Sequence, residues 1–285
     1  MSLLFPPVEI GSLRARNRLW VAPMCQYSST GGMPNMWHLT HLSSFASGGA
    51  GLVMTEMTDV SRDGRITPGC AGLYKPEHAA AWKRVVDFVH THSAAKIGIQ
   101  LAHAGRKGST ERPWEGNGGV PPNKGGWQPV GPGNVPFNPS YPVPRALETS
   151  EIPGVVKAFK DATLRALQAG FDMVEVHAAH GYLIHQFLSP LTNTRTDQYG
   201  GSFDNRIRLC LEVVDAVRSV WPDRKPVWMR ISATDWAEGG WDPEQTVALS
   251  RRVKDRGVDL IDITTAGVVA HQQIKAGPGF QVPFA

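Results

Sequence analysis

Short aliphatic runs separated by longer amphipathic stretches set the rhythm of the chain. The runs lie at about 18–22 (RLWVA), 51–55 (GLVMT), 97–102 (IGIQLA), 173–177 (MVEVH), 227–232 (VWMRIS) and 259–264 (DLIDIT). Their length and β-branched content read as strands. The stretches at about 38–47, 76–93, 151–169, 203–220 and 242–256 carry apolar residues at helical spacing. Several have recognisable ends. Ser150 can cap the third and Gly170 follows it; Asp242-Pro243 opens the last and Gly257 closes it. Repeated strand–helix alternation predicts an α/β fold with a parallel sheet.

Parity within the strands decides between an open sheet and a barrel. Ile97, Ile99 and Leu101 alternate with Gly98, Gln100 and Ala102. Val174 and Val176 oppose Met173, Glu175 and His177, and Val227, Met229 and Ile231 oppose Trp228, Arg230 and Ser232. One face is aliphatic, as needed beneath helices, whereas the other is small or polar. A doubly covered open sheet would be apolar on both faces. A TIM-type (β/α)8 barrel turns the second face inward, where strand ends build a site. The expectation is therefore a single β/α-barrel domain over 1–285, with Gln100, Glu175, His177 and Arg230 facing its interior.

Two features break the rhythm. Residues 106–147 are rich in Gly, Pro, Asn and Trp, a length of irregular chain that usually serves a function. Trp114, Trp127 and Phe137 favour docking over the barrel mouth. Six strands are also used by residue 264, so the last two β/α units of an eight-unit barrel, roughly 60 residues, would be absent. The first and sixth strands would then be open, aggregation-prone edges. A homo-oligomer stands as a separate expectation.

Composition narrows the class. Of 285 residues, 41% are hydrophobic and 19% charged, which is globular rather than disordered. The net charge of +4 comes from scattered residues, so no nucleic-acid or membrane-surface footprint is expected. Three cysteines, Cys25, Cys70 and Cys210, argue for a reducing compartment rather than a disulfide framework. The N-terminus lacks a basic region before a long apolar run, and no stretch reaches the length of a membrane span. A cytoplasmic location is the expectation.

The candidate chemistry centres on His177-Ala-Ala-His180-Gly-Tyr182, at and beyond a strand end. If the chain curls after His177, both imidazoles can donate N–H bonds to one carbonyl oxygen, and Gly181 eases the curl. The Tyr182 phenol can supply a proton. Two other readings compete: a pair of satisfied core histidines, or a metal site completed by Glu175, His103 or Asp262. Gln100 and Arg230 could meet a pyrimidine-like ring edge and its negative charge, and Arg230 could equally pair with Glu175. Cys25 could bond weakly to a cofactor or be a small buried hydrophobe. No G-x-G-x-x-G follows a strand, no G-x-S-x-G occurs, and there is no CxxC pair.

Four segments together resemble the old yellow enzyme family of FMN-dependent ene-reductases: APMCQYS at 22–28, GRITPGCAGL at 64–73, IQLAHAGRK at 99–107 and EVHAAHGYLIHQFLSPLTNTRTDQYGGSFDNR at 175–206. The resemblance covers nearly the whole chain, and APMCQY points to the bacterial, xenobiotic-reductase-like branch with an active-site cysteine. It implies a TIM barrel binding FMN, reduced by NADPH or NADH. A small-molecule substrate, an α,β-unsaturated carbonyl or nitro compound, would then be reduced by ping-pong hydride transfer. It also implies roles. Ala22, Pro23, Met24 and Cys25 line the flavin, and Gln100 and Arg230 bind its ring system. His177 and His180 hold the substrate carbonyl, Tyr182 is the proton donor and Tyr27 closes over the substrate. Met57 departs from the family by standing where a small residue usually lies beside the flavin. The absent last units would carry the loops that bind the FMN phosphate. The rival readings are a metal-dependent barrel hydrolase or lyase, and a non-catalytic short barrel.

Overall fold

A computed structural model describes residues 2–285. The chain opens with a hairpin, β1 (Val8–Ile10) and β2 (Leu13–Ala15). It then alternates β3 (Trp20–Val21), α1 (Met36–Ser47), β4 (Leu52–Asp59), α2 (Pro76–His92) and β5 (Lys96–Ala102). After the excursion, which holds the two-residue strands β6 (Val130–Gly131) and β7 (Arg145–Ala146), come α3 (Ile152–Ala169) and β8 (Met173–Ala178). The short α4 (Leu183–Leu188), α5 (Phe203–Arg218), β9 (Val227–Ser232), α6 (Pro243–Lys254) and β10 (Leu260–Thr264) complete it. Among the described residues no helix is long and apolar enough to cross a membrane.

The six expected strands form one curled parallel sheet in the order β3-β4-β5-β8-β9-β10. Its register aligns the interior residues: Met57 with Gln100, Gln100 with Glu175, His177 with Arg230, and Arg230 with Asp262. A bulge in β4 between Met54 and Met57 shifts the register there. Strands β3 and β10 are the edges. A cavity of about 720 Å³ runs outside β10, lined by Val247, Leu260, Ile261, Ile263 and Phe284.

The alternation within strands separates three packed layers. Ile97, Ile99, Leu101, Val174, Val176, Val227, Met229 and Ile231 face outward and share one core with Trp82, Val86, Phe159, Val213 and Leu249 of the helices. At the N-terminal end of the sheet, Leu52, Met54, Met173 and Trp228 pack on Leu13 and Ala15, so the β1–β2 hairpin plugs the interior. At the C-terminal end, Met57, Ile66, Cys70, Ala102 and Ala104 form a third cluster against Cys25, Tyr27 and Tyr182. Aliphatic packing fills the outside and the bottom, leaving the polar residues at the top.

Helix ends follow side-chain chemistry with one correction. Asp242 caps α6 by accepting from Gln245 N at 2.8 Å, and Gly170 ends α3 in the left-handed region at φ 92°. Ser150 does not cap α3. It lies inside a 3-10 turn over Thr149–Glu151, which Glu148 and Glu151 close reciprocally. The turn places the first α-helical residue at Ile152, and Pro153, three residues beyond Ser150, has no N–H to donate to a serine cap.

The 106–147 excursion returns to the site end of the sheet. The Arg112 Nε donates to Tyr27 O at 3.0 Å, and Trp114 meets the Tyr27 ring edge-on at 6.0 Å. Trp127 Nε1 donates to Asp63 O at 2.9 Å beneath the Arg65 guanidinium.

Candidate active site

β8 ends at Ala178, and the next residues build the centre. His180 adopts φ 57° and Gly181 φ 71°, two successive left-handed positions that fold the chain back on itself. A histidine tolerates this region better than a β-branched residue, at a cost of roughly 1–2 kcal/mol. Several bonds hold the turn. His180 N donates to Ser232 Oγ at 2.9 Å, and Gly181 N donates to His185 Nδ1 at 2.9 Å. Gln186 Nε2 donates to Gly181 O at 2.7 Å and to Ala104 O at 3.1 Å. His185 Nε2 in turn meets the Asp235 carboxylate at 2.8 Å, both side chains being fully buried. The turns after β5, β8 and β9 are thereby locked together.

The turn brings three side chains into contact. The rings of His177 and His180 lie 5.1 Å apart at 88°, and those of His177 and Tyr182 lie 5.1 Å apart at 77°. The His177 Nδ1 accepts the Ala179 N–H at 3.3 Å, so a neutral His177 carries its proton on Nε2 and can donate it. The His180 Nε2 bonds Thr264 Oγ1 at 2.9 Å, and Thr264 Oγ1 also accepts from Gln281 Nε2 at 3.1 Å. This leaves His180 Nδ1 as the ring nitrogen that Thr264 does not engage.

Electrostatics keeps the donors neutral. Burial, then the neighbouring His180 and Arg230, hold His177 well below the usual imidazole range. Burial, then Arg230 and Lys107, push His180 down to about 3. Burial, then Cys25, Tyr27 and Cys70, keep the Tyr182 phenol well above its ordinary value, hence protonated. The signs give a prediction. Unfolded imidazoles take up protons below about pH 6.5, whereas these folded ones stay neutral down to lower pH. Their contribution to stability is thus present above 6.5 and lost as pH falls through and below it. Proton NMR should show neither imidazole titrating between pH 5 and 8. The double variant His177→Asn/His180→Asn should lose Tm less steeply than the parent over pH 6.5 to 4.

Below the histidines, Gln100 Nε2 donates to Glu175 Oε1 at 2.7 Å. The alternative pairing of Arg230 with Glu175 is not the one formed: Arg230 Nε lies 3.2 Å from Asp262 Oδ2. In the β8–β9–β10 register Asp262 is directly opposite Arg230, while Glu175 is opposite Trp228 and Gln100. Burial, then the Asp262 carboxylate, raise Glu175 above the ordinary range, with Arg230 opposing. The Arg230 Nε is buried without an aligned hydrogen-bond acceptor. A ring bearing carbonyl oxygens and ring nitrogens would meet that orphaned donor and the Gln100 amide together, so the interior fits a flavin.

The segment after β3 supplies the remaining residues. Ala22 and Met24 are exposed, and Pro23 and Cys25 are partly buried. Tyr27 stands at φ 50° and packs with Cys25 and Tyr182 on the third cluster. Burial, then Glu56, raise the Cys25 thiol, so it is a neutral thiol rather than a thiolate. Met57 is buried among Ile66, Cys70, Ala102 and Ala104. Among the described residues, no group of three or more His, Cys, Asp or Glu side chains is arranged to hold a metal ion.

Sequence reasoning overlooked Lys107, His185 and Asp235, which support the turn. His185 and Lys107 sit inside the quoted segments, five residues beyond His180 and two beyond Gly105. That local clue was readable, whereas Asp235 meets His185 only across the β8–β9 boundary.

Known proteins agree with this arrangement. A family model described as NADH:flavin oxidoreductase / NADH oxidase matches residues 3–282. An NADH:flavin oxidoreductase of Gibberella zeae is 44% identical over 99% of this chain and 72% of its own length. An NADPH dehydrogenase of Geobacillus thermodenitrificans is 42% identical over 100% of this chain and 78% of its own. The structure of an old yellow enzyme homologue from Zymomonas mobilis superposes with a TM-score of 0.81 at 29% identity, over 100% of this chain and 80% of that one. With this sheet, turn and interior, the chain belongs to the NADH:flavin oxidoreductase / NADH oxidase family, as an FMN-dependent, NAD(P)H-linked oxidoreductase of the old yellow enzyme type.

Proposed function

We propose that this oxidoreductase reduces the C=C bond of α,β-unsaturated carbonyl compounds, and of nitro compounds by the same route. FMN, when bound, would take hydride from NADPH or NADH, and the nicotinamide and the second substrate would occupy the same face in turn, a ping-pong order. The observation that carries the reading is the meeting of His177, His180 and Tyr182 within 5.1 to 6.4 Å of one another, above the inward Gln100 and Arg230. FMN supplies the hydride when bound. His177 Nε2–H and a His180 ring nitrogen hold the carbonyl oxygen, where negative charge develops as hydride reaches the β-carbon. Donors of this kind are each worth about 3–4 kcal/mol when aimed at a developing oxyanion. Tyr182 Oη protonates the α-carbon. Ala22, Pro23, Met24 and Cys25 would line the flavin, whose redox chemistry the Cys25 thiol would tune as in the active-site-cysteine branch, and Tyr27 would cover the substrate. Met57 supports the flavin from below, in the third cluster. The six strands are read as six of the eight in such a barrel.

Visible absorption tests this directly. Protein loaded with FMN should bleach on adding NADPH under nitrogen and recover its colour on adding 2-cyclohexenone. Persistent bleaching after cyclohexenone would overturn the substrate class. Stoichiometric zinc with no flavin absorbance would favour the metal-dependent hydrolase instead, and a folded chain that retains neither would favour a non-catalytic barrel.

A further inference from the structure

Lys107 ends the 3-10 turn Gly105–Lys107 that follows β5, and its side chain reaches into the centre. The Nζ donates to His180 O at 2.8 Å. It lies 4.3 Å from the Phe137 ring centroid and 5.6 Å from that of Tyr182. Among the described residues no carboxylate lies within ion-pair distance of it. A lysine ordinarily keeps its ammonium in water or against an acid. This one is held by a single carbonyl and two aromatic faces, which suits a cation that serves a neighbour rather than a surface ion pair.

The neighbour in need is Tyr182. Once the substrate has accepted hydride at its β-carbon, it holds an electron pair spread over the α-carbon and the carbonyl oxygen. That pair forms the new α-carbon–hydrogen bond with the Tyr182 proton, and the O–H pair stays on Oη as phenolate until water reprotonates it. The step changes no oxidation state. The phenolate arises in a buried place where Cys25, Tyr27, Cys70 and Asp59 all disfavour negative charge. The Asp59 carboxyl is itself buried without a partner. A cation over the ring opposes that penalty.

We propose that Lys107 is a positioning residue for proton delivery, its ammonium fixing the His180 turn and stabilising the Tyr182 phenolate as the proton leaves. The proposal rests on the reduction described under Proposed function. The groups facing Lys107 are Arg106 in its own turn, His177 and His180 after β8, Tyr182 at the head of α4, and the uncharged Phe137 of the excursion; Arg230 of β9 acts on both imidazoles. Burial, then the Arg106 guanidinium, lower the lysine to about 7. Since both imidazoles stay neutral, proton delivery should slow as pH rises through that value and the ammonium is lost.

The test compares Lys107→Met and Lys107→Arg in FMN-loaded protein by stopped flow. Lys107→Met should leave bleaching by NADPH within about 5-fold while slowing recovery with 2-cyclohexenone about 10- to 100-fold, within the range of one acid–base contribution. Lys107→Arg should recover most of that rate and lose the slowing above pH 7, because a guanidinium stays charged. A second readout needs no turnover: ultraviolet difference titration of the protein without substrate, with Tyr182→Phe subtracted to isolate the phenol. Tyr182 should ionise at lower pH in Lys107→Arg, whose guanidinium stays charged throughout the titration, than in Lys107→Met. Recovery at the parental rate and pH profile in Lys107→Met would overturn the proposal. So would equal slowing of both half-reactions with a lowered Tm and an unmoved phenol titration, the pattern of a merely structural residue. If the parent protein itself fails to recover its colour, the reduction is wrong, and the phenol titration alone then decides whether Lys107 acts on Tyr182.

Discussion

Tyr182→Phe should slow recovery of the flavin colour by an α,β-unsaturated ketone about 10²- to 10⁴-fold, a loss of roughly 3–5 kcal/mol of transition-state stabilisation. Bleaching by NADPH should change far less, because hydride passage from the nicotinamide needs no proton from the protein. The separation follows from position. The phenol sits between the His177 ring, at 5.1 Å, and the cluster of Met57, Cys70, Ala102 and Cys25. Removing one oxygen keeps the ring packing, so Tm should stay within a few degrees of the parent. Stopped-flow measurement of the two half-reactions checks this. Equal slowing of both, or no slowing of either, would remove Tyr182 from the role of acid and leave it as a wall of the site.

Gly181→Ala should be among the most damaging substitutions that add a single methyl group. Gly181 stands at φ 71°, and a Cβ there would lie 2.0 Å from Gly267 O and 2.7 Å from Val268 Cα, both backbone atoms of the turn after β10. The left-handed conformation costs roughly 1–2 kcal/mol for a residue with a Cβ. Forcing the two turns apart adds about 1–3 kcal/mol. The contact is mutual, because a Cβ on Gly267 would meet the His180 backbone at 2.6 Å. The expected loss is about 2–5 kcal/mol, a fall in Tm of roughly 10 °C, together with weaker ligand binding because His180 moves with the turn. Gly125→Ala is the control. It has φ 88° but nothing within 4 Å of the added methyl, so it should pay only the conformational part. Thermal melts of the two variants separate the terms; similar melts would mean that the Gly181–Gly267 approach does not constrain the turn.

Much of this was legible before the structure. All six strands and five of the helices were readable because each buries a face: period two beneath helices for the strands, period 3.6 for the helices. The same alternation placed Gln100, Glu175, His177 and Arg230 on the interior. The missed elements lack such a face. The β1–β2 hairpin has strands of three residues each, and α4 is six residues, LIHQFL, all buried, so neither shows an amphipathic period.

The sequence by itself determined the strand parity, the left-handed Gly181 and the order of the His177–Tyr182 segment, because these depend on local backbone sterics and on which side of a pleat a residue faces. Contacts between strand ends were decided only by the tertiary structure. The parallel register of β9 with β10 set Asp262, not Glu175, beside Arg230. Packing of the turn after β5 on the turn after β8 sent the Lys107 ammonium to His180 O and the Tyr182 ring. Such pairings depend on how far each strand slides past its neighbour. That sliding is fixed by the summed packing of the whole sheet, which no local pattern records.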